Sequence, residues 1–244
     1  MIEIRKTAAP TELVILQQDC VDQGLTANEA YKKLSGARKV RVVNQLMQDQ
    51  GYLCAYCMRR IPDKRDSERG VKDPTEVRIE HWDARNRVGG TTCGAFGALD
   101  YYNMLAVCSG NQNSPLNKKS KLTCDAKCGN RKLTVNPLDA STLTTIYYTE
   151  DGYIKASDPV IDDDLNVGLN LNCTKDAVQL PAERKKVLEV IQEEIMSEIE
   201  NGNSFLECCT SLYNELMLID DEKPPYIGIS LWWLKDTVNK ADDT

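Results

Sequence analysis

No stretch of this 244-residue chain approaches the roughly 20 consecutive apolar residues that a membrane-spanning helix needs, so the sequence reads as that of a soluble protein with no membrane partner. A positive net charge is missing too. The 30 Lys and Arg face 37 Asp and Glu, a balance of −7 that argues against a chain coating nucleic acid by bulk attraction. Repeats and low-complexity tracts are absent. The start, Met1-Ile2-Glu3-Ile4-Arg5-Lys6, carries charge where a signal peptide would need its apolar stretch, and a cytoplasmic, reducing location is expected from it. Histidine occurs once, as His81, which leaves a single candidate for imidazole chemistry. Cysteine, by contrast, is plentiful. Ten thiols in a reducing compartment point to metal binding rather than to disulfides.

The length suffices for one large domain or two small ones with a sizeable core. Charge is unevenly spread along it. Between Gly51 and Asn136, 15 Lys and Arg stand against 9 Asp and Glu, a local excess of +6 that leaves −13 for the rest. Three regions follow. Residues 1–50 read as a helical segment, with a capping box at Thr26 and Glu29 and an apolar helical face of Val40, Val43, Leu46 and Met47. Residues 51–136 turn to short strands, glycine-rich loops (Gly89-Gly90, Gly94 to Gly97) and most of the cysteines. Residues 137–244 begin with a hairpin, Leu143 to Thr149 and Tyr153 to Ala156, turned through Asp151-Gly152. Amphipathic helices at Ala182 to Glu200 and Ser204 to Leu218 come next, and an apolar segment, Ile227 to Leu234 with Trp232-Trp233, is expected to dock on the body.

Cys54-Ala55-Tyr56-Cys57 is a C-x-x-C, a spacing that lets two thiolates reach one ion at about 2.3 Å. The second pair must come from Cys93, Cys108, Cys124 and Cys128. Cys108 closes the apolar run Met104 to Val107, and Cys124 opens a polar segment, so a structural zinc is expected on Cys54, Cys57, Cys108 and Cys124. The roles of Cys93 and Cys128 stay open. Cys20, Cys173, Cys208 and Cys209 lie on apolar faces or between elements and read as small buried hydrophobes. His81 follows Glu80 at the end of an alternating strand, twenty-four residues past Cys57.

An acidic residue followed by histidine, then Asn103-x-Leu105-x-x-Cys108, then a cysteine followed at once by a metal-capable polar residue, resembles the zinc-bearing form of the HNH, or ββα-metal, nuclease motif. Cys-Ala-Tyr-Cys ahead of Glu80-His81-Trp82, Cys124-Asp125, Asn136-Pro137-Leu138, and Leu169-Asn170-Leu171-Asn172 before an arginine-bearing helix are similar to the retron- and Septu-associated PtuB-like antiphage endonucleases. The resemblance implies an α+β fold in which a zinc-stapled ββα-metal module is flanked by N-terminal helices and a C-terminal hairpin plus helices. It implies His81 as general base, Glu80 and Asp125 as ligands of a catalytic Mg²⁺ or Mn²⁺, and Asn103 as the amide that holds the histidine loop. Lys118, Lys119, Lys121, Lys127, Arg131 and Lys132 would line the nucleic acid, with DNA the expected target.

By the same resemblance the chain would be the nuclease subunit of an antiviral system, partnered by a PtuA-like ATPase and a retron RNA or DNA element. Two departures qualify it. The third motif position is Asp125 where the family has His or Asn, and fifteen residues separate Cys108 from Cys124, an insert whose Asn111 and Asn113 are alternative ligands. Adjacent residues of a regular strand also face opposite sides, so Glu80 and His81 meet one ion only if the strand ends or bulges there. The rival readings are a non-catalytic zinc ribbon that binds nucleic acid or protein, and a redox dithiol at Cys54 and Cys57.

Overall fold

The computed structural model describes residues 1–61, 77–85, 94–112, 119–175 and 179–242. Three helices open the chain: α1 (Thr11–Asp22), α2 (Ala27–Lys33) and α3 (Gly36–Asp49). The capping box at the start of α2 forms, with Glu29 N–H donating to Thr26 Oγ1 at 3.4 Å and Thr26 N–H to Glu29 Oε2 at 2.9 Å. The buried face of α3 carries Val42, Leu46 and Met47. Val40, expected on that face, is 47% exposed instead. Val42 sits four residues before Leu46, one helical turn, and so shares its stripe.

The centre is an antiparallel pair, β1 (Arg78–His81) and β2 (Met104–Val107), in the register Arg78 to Val107, Ile79 to Ala106, Glu80 to Leu105 and His81 to Met104. Every residue of β2 is buried. Its backbone must therefore find partners on both edges. One edge is β1; on the other, the buried Gln50 side chain donates from Nε2 to Ala106 O and accepts from Ala106 N–H, both at 2.8 Å, so the end of α3 stands in for a strand. Part of the expected glycine loop is a short helix, α4 (Gly94–Ala98), packed on α1 and α2, and a 3-10 turn at Tyr101–Asn103 leads into β2. Helix α5 (Cys124–Cys128) completes the strand, strand and helix sequence. Gly89 and Gly90 lie outside the described residues.

The C-terminal hairpin is shorter than its sequence pattern: β3 (Ile146–Tyr148) pairs with β4 (Ile154–Ala156). Helix α6 (Pro159–Asp163) runs into a π turn, Asp164–Gly168, that the sequence did not announce. Then come α7 (Leu180–Glu200), α8 (Phe205–Met217) and α9 (Ile227–Asp242). The segment with the double tryptophan is thus a full helix, and both rings are half-buried, Trp232 lying 6.1 Å from Tyr148. The stripes of α7 and α8 bury Leu188, Ile191, Ile195, Cys209, Leu212 and Leu216 against each other and α9. A single apolar cluster runs through all three sequence regions. The fold is α+β, and among the described residues no helix is long and apolar enough to cross a membrane.

Gly152 and Arg184 lock the hairpin onto α7. The buried guanidinium donates to Gly152 O at 2.6 Å and to Leu171 O at 2.9 Å, which satisfies a charge that burial alone would penalise. Gly152 has φ +79°, and a Cβ there would lie 2.0 Å from Pro181 O. Gly152→Ala should therefore lower unfolding stability by more than about 1 kcal/mol in urea titrations. An unchanged midpoint would refute the close approach.

Candidate metal centre and the carboxylate pair beside it

The C-x-x-C lies in a tight reversal between α3 and β1. Leu53 bridges Arg60, Met58 N–H donates to Cys54 O at 2.9 Å and Cys54 N–H to Arg59 O at 2.8 Å, with Met58 at φ 60° closing the turn. Ala55 N–H bonds Ala106 O at 3.1 Å, which lays the reversal against β2. Cys108 follows β2 directly, and its N–H points at Cys54 Sγ, 3.4 Å away. Cys124 begins α5 in a left-handed conformation, φ 54°, fixed by its N–H bond to Leu169 O at 2.9 Å. A residue with a Cβ is held there at some cost, and the return is the placing of its thiol.

These three segments bring Cys54, Cys57, Cys108 and Cys124 together, all buried, with their sulfurs within 4.8 Å of one another. Among the described residues this is the one group of three or more Cys, His, Asp or Glu close enough to hold an ion. The spacing fits zinc. A tetrahedron of bonds about 2.3 Å long has edges of about 3.8 Å, and the sulfur pairs Cys54 to Cys124, Cys57 to Cys108 and Cys108 to Cys124 are 3.8, 3.9 and 3.7 Å apart. A disulfide would need about 2 Å. Hydrogen bonds from Cys108, Cys124 and Cys54 hold the Cys57 thiol well below the ordinary range, while bonding to Cys108, Cys54 and Cys57 pushes Cys124 well above it. Four adjacent thiols cannot all ionise unless a cation is shared. Cys128 is buried outside the group, its Sγ facing Arg131 O at 3.5 Å, and Cys93 lies outside the described residues. Cys20, Cys173 and Cys209 are buried and Cys208 is half-buried.

Because Cys124 opens α5, the next residue, Asp125, is carried to the strand pair. Its carboxyl meets that of Glu80. Burial first, then the charge and hydrogen bond of Asp125, push the Glu80 carboxyl up to about 9. Two carboxyls so placed hold one proton between them or share a cation. A third group lies within their electrostatic reach: Tyr56, between the two cysteines of the C-x-x-C, is fully buried, its hydroxyl has no hydrogen-bond partner among the described residues, and its pKa is raised well above normal by burial and then by Glu80, Cys128 and Asp125. Paired carboxyls, with a buried hydroxyl in electrostatic reach that no described residue satisfies, fit a hydrated cation. Tyr56 is not among the residues expected from the sequence, although its place between two expected zinc ligands is a usable signal.

His81 ends β1 and points away from this pair. Its Nε2 lies 2.9 Å from Ala98 O, its ring meets Tyr31 edge-on at 5.3 Å, and it is only 5% exposed. Neighbours on a strand diverge, and β1 shows no bulge at this point. With Nε2 donating to the carbonyl, Nδ1 is left as the acceptor, and burial lowers the pKa to about 4. Asn103 clamps the following turn: its Oδ1 accepts from Asp83 N–H at 2.8 Å and its Nδ2 donates to Asp83 O at 2.9 Å.

Other expected residues fare differently. Arg131 is paired with Asp163 and, at 3.3 Å, with Asp164, so it holds the π turn rather than waiting for a phosphate. Asn111 braces the insert, donating to Lys121 O at 3.1 Å and Thr123 Oγ1 at 3.3 Å, so it does not complete the carboxylate pair. Lys121 and Lys127 are half-buried and Lys132 is exposed; Asn113, Lys118 and the Lys119 side chain lie outside the described residues. No protein-family model matches the chain, and no curated protein matches it.

Cys108→Ala should abolish zinc retention and the cooperative melt, since zinc at such a site contributes on the order of 10 kcal/mol to folding. Cys128→Ala should keep both. Metal analysis with thermal unfolding checks the pair, and zinc loss in the second variant would contradict the ligand set.

Proposed function

We propose that the chain is a divalent-cation-dependent nuclease that hydrolyses phosphodiester bonds in nucleic acid, with DNA as its target. The observation that carries the reading is the pairing of Glu80 with Asp125, across a strand pair and helix in the order that the HNH resemblance implies, with the buried Tyr56 hydroxyl unpartnered among the described residues. Glu80 and Asp125 are the cation's protein ligands; hard oxygens suit Mg²⁺ or Mn²⁺. When bound, that cation supplies stabilisation of the charge that grows on the phosphate and the leaving oxygen. His81 is kept neutral by burial with Nδ1 free of its proton, but to accept the proton of the attacking water its ring must leave Ala98 O and turn toward the carboxylate pair, from which it points away in this structure. Asn103 positions the loop after the histidine through Asp83. Lys121, Lys127 and Lys132 are the described members of the basic surface that would receive the strand.

We place this nuclease in antiviral defence, as the subunit that an ATPase controls, with a retron RNA or DNA as an associated element. The helix pair α7 and α8 supports a protein partner. From Val187 to Glu222 the chain has ten Asp and Glu and no Lys or Arg, a surface that repels nucleic acid. Val190, Met196, Met217 and Leu218 are exposed along it. The burial of His81 favours the rival reading, a zinc ribbon that binds without cutting.

Plasmid cleavage with Mn²⁺, lost with EDTA and in His81→Ala at unchanged zinc content, separates the two; an inert wild type, with or without its partner, refutes the nuclease. The carboxylate pair gives a second check. With Glu80 at about 9, a proton is still on the pair at neutral pH, so cation binding must displace it. Mn²⁺ affinity should rise about tenfold per pH unit below that value and level off above it. Calorimetry in buffers of different ionisation enthalpy should show about one proton released at pH 7. A pH-independent affinity would contradict the shared proton.

A further inference from the structure

The helix pair α7 and α8 carries a groove that neither the sulfur cluster nor the carboxylate pair uses. A short connection, residues 201–204, makes the two helices antiparallel, and between them lies a cavity of about 390 Å³. Its floor is apolar, with Ile195 of α7 and Leu212 of α8 buried there. Its walls are acidic: Glu194 and Glu198 stand on one helix and Glu207 and Glu215 on the other, all four exposed. Among the described residues no Lys or Arg lines it.

The charge of these walls is not met within the chain. None of the four glutamates pairs with a described Lys or Arg, and Glu198 accepts only from Asn203 Nδ2, at 2.7 Å. An exposed helix face that served solubility alone would gain from opposite charges one turn apart, whereas Glu194 and Glu198 have the same sign at that spacing. A cationic occupant relieves the repulsion. A single metal ion does not fit, because no three described acidic groups lie close enough together to hold one. The carboxylates spread instead over two turns of α8, about 12 Å, the scale of side chains along a second helix.

The apolar surface narrows the choice further. Val190, one turn before Glu194, and Leu218, three residues after Glu215, stand at the same end of the antiparallel pair, and both are exposed. A uniformly basic partner would leave them in water. A helix with an apolar stripe flanked by Lys and Arg covers both kinds of surface.

We propose that the groove between α7 and α8 binds a cationic amphipathic helix of a partner protein, its apolar stripe over Ile195 and Leu212 and its Lys or Arg side chains on the four glutamates. This rests on the reading of the helix pair as a partner surface and adds the chemistry of what docks there. It requires nothing of the cleavage site.

The test is fluorescence anisotropy with the zinc-loaded full chain and a labelled helical peptide of about five turns, leucine on one face and lysine on the other. Replacing Glu194, Glu207 and Glu215 together by Gln should weaken binding about tenfold or more, while the same change at Glu189, Glu193 and Glu200, on the next face of α7, should cost less than about threefold. Both variants lose the same charge, so equal losses would mean bulk attraction and overturn the groove. A peptide with serine for leucine, keeping every lysine, should bind about tenfold more weakly; equal binding would overturn the apolar contact and the proposal with it. A peptide with glutamate for lysine that binds as well overturns the cationic occupant and leaves the partner surface standing, and a failure of every peptide overturns both. Sedimentation velocity should show a monomer. A dimer that the groove variant dissociates would make the occupant a second copy of this chain and overturn the proposal.

Discussion

Everything at the centre of this protein depends on four sulfurs converging from three separate segments. The reversal after α3 supplies Cys54 and Cys57, the end of β2 supplies Cys108, and the start of α5 supplies Cys124. The described part of this region has few other means of cohesion. Its two strands are four residues each, α5 is five residues long, and β2 relies on a glutamine side chain for its outer edge. Because Asp125 follows Cys124 directly, the geometry of the sulfur cluster is also that of the carboxylate pair.

The surrounding structure supports this arrangement rather than adding a second centre. Helix α2 and α4 pack on each other and close over the face of β1 that carries His81, while the π turn reaches the other side through Leu169, whose carbonyl holds Cys124 in its left-handed conformation. Asp164, buried in that turn, accepts from the Thr134 and Val135 amides and pairs with Arg131. The segment after α5 is thereby tied to the C-terminal region, where Arg184 in turn fixes the hairpin.

How much of this the sequence carried differs by element. The four cysteines were legible because two of them have a spacing that one ion explains and Cys108 ends an apolar strand. The choice of Cys124 over Cys128 rested on its opening a polar segment; what separates them in the fold is the left-handed backbone at Cys124, which depends on a distant carbonyl. Asn103 and Asp125 were legible only through family resemblance. Arg131 was misread because its partners, Asp163 and Asp164, lie thirty residues on in a π turn that no local pattern marks. The direction of the His81 ring follows from strand alternation, but its neighbours, Tyr31 and Ala98, come from helices whose packing no periodicity reveals. Val40 and Val42 were confused because a short helix with apolar residues at 40, 42 and 43 admits two registers.

If the sulfur cluster positions the carboxylate pair, then any cation held by Glu80 and Asp125 depends on zinc. Electron paramagnetic resonance of Mn²⁺ titrated into the zinc-loaded chain, and into the same chain stripped of zinc, tests it directly. One bound Mn²⁺ is expected in the loaded protein, absent in Glu80→Ala and absent once zinc is removed. Mn²⁺ that stays bound without zinc, or that never binds with it, would contradict this dependence.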